Sequence, residues 1–367
     1  MKIENWPWQP NPDYIRLLRA LRRQGDPGHV PFLELFADWE IIAALLDEPL
    51  VPSDAQKVDR GALEKGLDQK IRFWHRLGYD AFWQGAILEL PQTRLEADDT
   101  ASLPRDKRRW VDEQAGVITD WADFERYPWP SASDADLYPM EYVARHLPEG
   151  MAVIASTGGI LEPVMWLMGY QTFALAIYDQ PGLIEAMFAK IAEIYVPHAH
   201  ALTQMDRVMA LWMGDDMGFK TGTMIAPDHL RQFVFPIQKQ IAAVAHEQGM
   251  PFLLHACGNL EAVMDDLIDD VGIDARHSFE DAIEPVESFA DRYGDRIAVI
   301  GGVDVDILGR GTEEQVRART REVLAACAPG QGYVLGSGNS IANYIPLRSF
   351  LAMVDEGWRY NLENALF

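Results

Sequence analysis

Cysteine is nearly absent: the 367-residue chain has two, Cys257 and Cys327. Two thiols cannot build the disulfide framework of a small secreted domain, and a reducing cytoplasm is the expected home. Basic residues are scarce as well, 32 against 56 acidic ones, for a formal charge of −24. Such a chain repels nucleic-acid phosphates and anionic lipid, so neither is an expected partner. The densest basic patch, Arg105, Lys107, Arg108 and Arg109, reads as a solvated loop or as a contact for an anionic substrate group. No segment supplies the roughly 20 uninterrupted apolar residues of a membrane helix. The opening residues Met1–Trp6 carry no signal-peptide core. A Walker motif, a Gly-x-Gly-x-x-Gly after a predicted strand and a Gly-x-Ser-x-Gly elbow are all missing, which argues against nucleotide hydrolysis, nicotinamide chemistry and a serine nucleophile.

What the chain does have is apolar residues, 48% of the total, arranged in short runs between longer stretches of helical periodicity. Eight runs read as buried parallel strands: 30–36, 81–87, 151–157, 208–214, 251–257, 273–279, 296–302 and 332–338. Helices are predicted over 174–201, where Pro181 opens the main segment, and over 227–248, where Pro236 should kink the chain. A third covers 260–271 and stops at Gly272, and a fourth over 312–327 opens with the capping box Thr312-Glu313-Glu314-Gln315. The alternation predicts one α/β domain over 1–367, a single (β/α)8 TIM barrel. Two parts depart from it: an N-terminal helical extension over 1–29 and a long, lid-like insertion after strand 2, over 88–150. Within the insertion, 109–112 and 117–120 flank Glu113-Gln114-Ala115-Gly116 and read as a β-hairpin.

Barrel chemistry sits where strands end. The most informative segment is His255-Ala256-Cys257-Gly258-Asn259, following the apolar run Pro251-Phe252-Leu253-Leu254. Residues two apart on a strand share a side, so the imidazole and the thiol can converge, and this is a preferred ligand pair for zinc. The same spacing also suits ordinary packing. Glu280, on the next strand tip, is the first candidate for a third ligand, with His277 and Asp215 as alternatives. The other predicted tips carry Glu34, Gln84, the pair Asp215-Asp216, His277, Asp304, Ser337 and Asn339. Adjacent residues point to opposite sides, so one of Asp215 and Asp216 should face the mouth. Asp215, Asp216, His277 and Asn339 are the candidates for catalysis; Glu34, Gln84, Asp304 and Ser337 are those for holding substrate. Cys327, near the end of a predicted helix, reads as a packing thiol.

Gly214-Asp215-Asp216-Met217-Gly218-Phe219, the His255–Asn259 segment, Gly301-Gly302-Val303-Asp304 and Leu335-Gly336-Ser337-Gly338-Asn339, then Pro346, occur in that order. In this they resemble the uroporphyrinogen decarboxylase superfamily, which includes cobalamin- and coenzyme M-type methyltransferases and is related to cobalamin-independent methionine synthase. The resemblance implies a (β/α)8 barrel, and a homodimer is a common state in the group. The chain lacks the Arg-Gln-Ala-Gly-Arg segment with which the decarboxylases grip porphyrinogen carboxylates. It also has Gln84-Gly85-Ala86-Ile87 where they carry an aspartate in Phe-Ser-Asp-Ile. The methyltransferase branch holds zinc with a His-x-Cys pair, matched by His255 and Cys257, and a later Cys, where this chain has Ser337. In the methionine synthase relatives a glutamate somewhat past the pair also binds zinc, and Glu280 lies at a comparable distance.

The resemblance therefore implies zinc-dependent methyl transfer between a corrinoid, carried on a partner protein, or another donor and a small-molecule acceptor. Two alternatives remain: a metal-free lyase of the decarboxylase type on a small carboxylated substrate, and a non-catalytic barrel that binds a small molecule.

Overall fold

The computed structural model describes residues 3, 6–26, 28–51, 59–86, 88–103, 105 and 107–364. Its centre is a seven-stranded, wholly parallel sheet, with strands adjacent in the order in which they occur along the chain. These are β1 (Ala81–Gly85), β2 (Ala152–Thr157), β3 (Val208–Gly214), β4 (Phe252–His255), β5 (Ala275–His277), β6 (Ala298–Ile300) and β7 (Tyr333–Val334). Helices between strands cover the outer face, which is why the strands are apolar on both sides. Seven of the eight predicted strands are present, mostly shorter than predicted, and Ile87 lies outside the described residues.

The inner face is lined by small and apolar side chains, Ala81, Ala152, Ile154, Ala210, Trp212, Leu253, Ala275, Ala298, Ile300 and Val334, which form one buried cluster. The N-terminal extension fills the end at which the strands begin. Its helix Tyr14–Leu21 places Leu17, Ala20 and Leu21 in that cluster. Tyr14 N–H donates to the carbonyl of Gly150, just before β2, and Gly25 N–H to that of Gln331, just before β7. The extension thus covers the end opposite the C-terminal strand tips.

The predicted first strand departs from expectation. The segment 30–38 runs parallel beside β7 through isolated bridges, Phe32 to Leu335 and Ala37 to Ile341, and forms no ladder with β1 among the described residues. The sheet is thus open at that edge. Pro31 has no N–H to give, and both backbone polar groups of Val30 are taken by the side-chain amide of Asn361 on the C-terminal helix Leu347–Asn364.

The insertion also pairs differently from prediction. Lys107–Val111 is a strand, but its antiparallel partner is Arg94–Asp98 and not 117–120. The reason lies in Ile118, which is fully buried: it and Val117 give their N–H groups to the carbonyl of Leu167. Gly116 packs so closely on Met168 and Gly169 that a Cβ there would overlap their backbone. Elsewhere local chemistry acts as predicted. The Thr312–Gln315 capping box opens the helix Glu313–Cys327, Gly272 ends its helix at φ 82°, and Pro181 starts the helix Pro181–Thr203. A five-residue π-turn, Leu230–Val234, precedes Pro236, as expected where a proline cannot donate its hydrogen bond.

Candidate metal centre at the strand tips

Strand β3 is followed directly by the adjacent carboxylates Asp215 and Asp216, whose surroundings are entirely different. Asp215 is fully buried. Its Oδ1 accepts the N–H groups of Leu161 and Glu162 at the start of helix Leu161–Met168, at 2.9 and 3.1 Å, and its Oδ2 accepts from Gln238 at 2.8 Å. Burial raises its pKa to about 6 against the pull of those donors. Both oxygens are engaged in joining β3 to two helices, so Asp215 is placed as an anchor.

Asp216 turns to the mouth. Its Oδ1 accepts the Cys257 N–H at 2.7 Å and lies 3.5 Å from His255 Nε2. The Cys257 Sγ is 3.6 Å from the same imidazole nitrogen. One ligand atom from each of Asp216, His255 and Cys257 falls within 4.8 Å of the others. The predicted pair therefore converges, and the acid that joins it is Asp216, not Glu280. Glu280 sits beyond β5 in a loop, close enough for Asp304, Asp216 and Lys220 to act on it electrostatically, and burial is the main cause of its raised pKa.

The sulfur has two further polar neighbours. Asn339 Nδ2 donates to it at 3.3 Å, and Ser278 Oγ lies 3.6 Å away. Asn339 is thus the member of the last strand segment that reaches Cys257. Ser337, where the later family cysteine was expected, is fully buried and gives its Oγ–H and N–H to Glu34. Glu34 also accepts from Tyr79 Oη at 3.3 Å, and burial lifts its pKa to about 8. His277 is buried between the ring of His255, with the two Nδ1 atoms 2.7 Å apart, and the Ser337 carbonyl.

Two predicted substrate residues are committed elsewhere. Gln84 points outward, where its Oε1 accepts from the buried Lys70 Nζ at 3.0 Å; the inward residue of β1 is Trp83, which packs on the interior cluster. Asp304 caps the helix Val305–Arg310 and also accepts the Asp281 N–H at 2.7 Å. The basic patch is neutralised in part: Arg105 pairs with Asp38 and Glu40, Lys107 with Asp98, and Arg109 with Glu96.

Sequence reasoning passed over Glu162 and Trp212. Glu162, in the first turn of the helix after β2, has its pKa pushed well up by burial and by Asp216 and Asp215. The rule that barrel chemistry gathers at strand ends reaches it only if extended to the first turn of the next helix. Trp212 lies under the two imidazoles, its ring centroid 5.4 Å from that of His277.

The donor set fits a divalent cation. Without one, burial and the Asp216 carboxylate push the Cys257 thiol up to about 12, and burial raises Asp216 as well. Burial lowers His255 to about 4, so its ring is neutral at pH 7. Two acids that resist ionisation beside a neutral imidazole are groups that a cation would bring into their ligating forms.

The structure is an α/β architecture with an open, parallel central sheet, flanking helices and polar side chains gathered at the strand tips. The profile of the uroporphyrinogen decarboxylase (URO-D) family matches residues 115–360, more than half of the chain. The protein belongs to that family. It is 24% identical over 202 residues to a uroporphyrinogen decarboxylase from Anaeromyxobacter dehalogenans, covering 52% of this chain and 53% of the relative. It is 30% identical over 136 residues to a methylated-thiol–coenzyme M methyltransferase from Methanosarcina mazei, covering 36% of this chain and 34% of the relative. The chain thus spans about half or less of the curated relatives it matches. Among solved structures, a methyltransferase from Methanosarcina mazei superposes with a TM-score of 0.67 at 17% identity, over 94% of this chain and 98% of that one. Among the described residues no helix is long and apolar enough to cross a membrane.

Proposed function

We propose that the protein is a zinc-dependent methyltransferase that moves a methyl group from a corrinoid, carried on a partner protein, or another donor to a small-molecule thiol. The observation that carries this reading is the convergence of Asp216, His255 and Cys257 at the open end of the sheet. The higher identity over the matched segment to a methyltransferase, 30% against 24%, also supports it. The acidic mouth, with Glu162, Asp216 and Glu280, disfavours a substrate bearing many carboxylates.

His255, Cys257 and Asp216 would hold the ion, which would supply Lewis acidity and lower the pKa of a bound substrate thiol. The chain's own part is positional and protonic. The amide of Asn339 and the hydroxyl of Ser278 steady the sulfur of Cys257, while the Cys257 N–H fixes Asp216. Glu162 and Glu280, whose raised pKa values make them stronger bases than ordinary carboxylates, can take up the proton that the acceptor thiol gives up as it ionises.

The test is metal stoichiometry in protein purified without chelator, for the native chain and for Cys257→Ser, followed by methyl transfer from methylcobalamin to a small thiol. The expected result is near-stoichiometric zinc in the native chain, lost in the variant, with transfer that requires zinc. A native chain that takes up no zinc when it is offered at neutral pH overturns the reading and leaves the metal-free lyase or the non-catalytic binding barrel in its place.

A further inference from the structure

An imidazole can present a lone pair on only one nitrogen when neutral, and its hydrogen-bond partner decides which. The partner of His255 is another imidazole, so the decision passes one group further. His277 is fully buried, with its Nδ1 2.7 Å from Nδ1 of His255 and its Nε2 3.2 Å from the Ser337 carbonyl oxygen. A carbonyl only accepts. Nε2 of His277 must therefore carry the proton, its Nδ1 is bare, and the short contact between the rings requires the proton on Nδ1 of His255. The lone pair of His255 is then left on Nε2, the atom that faces Cys257 Sγ at 3.6 Å and Asp216 Oδ1 at 3.5 Å. In the reverse arrangement two lone pairs would oppose each other at the Ser337 carbonyl.

The surroundings are built to hold that carbonyl in place. Ser337 is fastened from behind by Glu34, through its N–H at 3.1 Å and its hydroxyl at 2.5 Å. Gly301, at φ 83°, lies against the pair. A Cβ there would fall 3.1 and 3.2 Å from His277 ring atoms and would overlap the Ser337 carbonyl oxygen. Gly301 thus makes room for the hydrogen bond between His277 and the Ser337 carbonyl.

We propose that His277 is a positioning residue: held by the Ser337 carbonyl, it sets the tautomer of His255 so that Nε2 is presented to a metal between Cys257 and Asp216. The proposal rests on the metal-site reading above, but its first test does not. Nitrogen-15 NMR of the metal-free chain, with imidazoles labelled, distinguishes protonated from bare ring nitrogens, and His255→Asn and His277→Asn spectra assign the two rings among the nine histidines. The expected pattern is N–H at Nδ1 of His255 and at Nε2 of His277. A proton on Nε2 of neutral His255, or on Nδ1 of neutral His277, overturns it.

The second test is zinc affinity by competition with a chromophoric chelator. His277→Phe, which offers no acceptor, should weaken binding by about 10–100-fold. His277→Asn, whose amide oxygen can accept from Nδ1–H, should stay within a few-fold of the native chain. A folded His277→Phe protein that binds zinc as tightly as the native chain overturns the positioning role. A native chain with the expected tautomers and no zinc affinity sinks the metal reading and leaves the tautomer assignment standing.

Discussion

The tips of β3, β4 and β5 and the insertion over 88–150 both gather charged and polar side chains, and they hold them in opposite ways. At the tips Asp215, His255 and His277 are buried and Asp216 and Cys257 half-buried, and hydrogen bonds to neighbouring strands and helices hold them in place. In the insertion the hairpin Arg94–Asp98 with Lys107–Val111 is exposed along almost its whole length, and cross-strand ion pairs such as Lys107–Asp98 stand in solvent. Burial makes each polar contact at the tips expensive to lose, because the orphaned partner cannot turn to water. Exposure makes those of the hairpin cheap. Position, not the number of charges, separates a site from a surface.

The sharpest way to break this comparison uses the two neighbours on β3. Asp216→Asn should weaken zinc binding by at least about 100-fold while leaving the melting temperature of the metal-free chain nearly unchanged. Asp215→Ala should do the reverse, losing about 2–3 kcal/mol of stability as the donors of Leu161, Glu162 and Gln238 lose their acceptor. Equal effects of the two on zinc would contradict the assignment of one to the mouth and one to the frame.

Next in size is the pH dependence of metal binding. Burial and Asp216 raise the Cys257 thiol to about 12, so at neutral pH the proton must leave as metal enters. Affinity should therefore rise with pH, about tenfold per unit for each proton displaced, measured by chelator competition between about pH 6 and 8. A flat profile would mean that the thiol is not a ligand.

A smaller effect is expected of Gly301→Ala. The residue sits at φ 83° against His277 and Ser337, and the change should cost about 1–3 kcal/mol in denaturant unfolding and disturb the His277 ring. The insertion supplies the contrast at the low end. Arg105 bridges Asp38 at 2.7 Å and Glu40 at 3.0 Å and is partly buried, so Arg105→Ala should cost about 1–2 kcal/mol. Lys107→Ala, on the exposed ribbon, should leave thermal unfolding unmoved.

Much of this was legible in the residues. The β3 run Val208–Gly214 matches its strand end to end, and the Thr312 cap and the Gly272 stop follow from local chemistry. His255 and Cys257 were readable as a pair because the two-residue spacing survives even though β4 ends at His255. What could not be read depends on partners distant in sequence. That Asp216 and not Asp215 faces the mouth is settled by a helix at 161 and a glutamine at 238. That 30–38 makes no ladder with β1 depends on Asn361, 331 residues from Val30. The outward turn of Gln84 follows the alternation of β1, whose inner face is marked by Ala81 and Trp83.

One contact at the mouth limits which substitutions this chain can accept. Gly258, at φ 87°, lies backbone to backbone on Gly218, so closely that a Cβ on either would overlap the other's main chain or its neighbours. Most tight contacts in a protein can drift, because enlarging one side chain is forgiven by shrinking the other. Here neither partner has anything left to give up. The turn that carries Cys257 and the hairpin Gly218–Phe219 with Gly222–Thr223 are therefore locked together as one piece, and a side chain on either glycine would have to push the thiol and the hairpin apart.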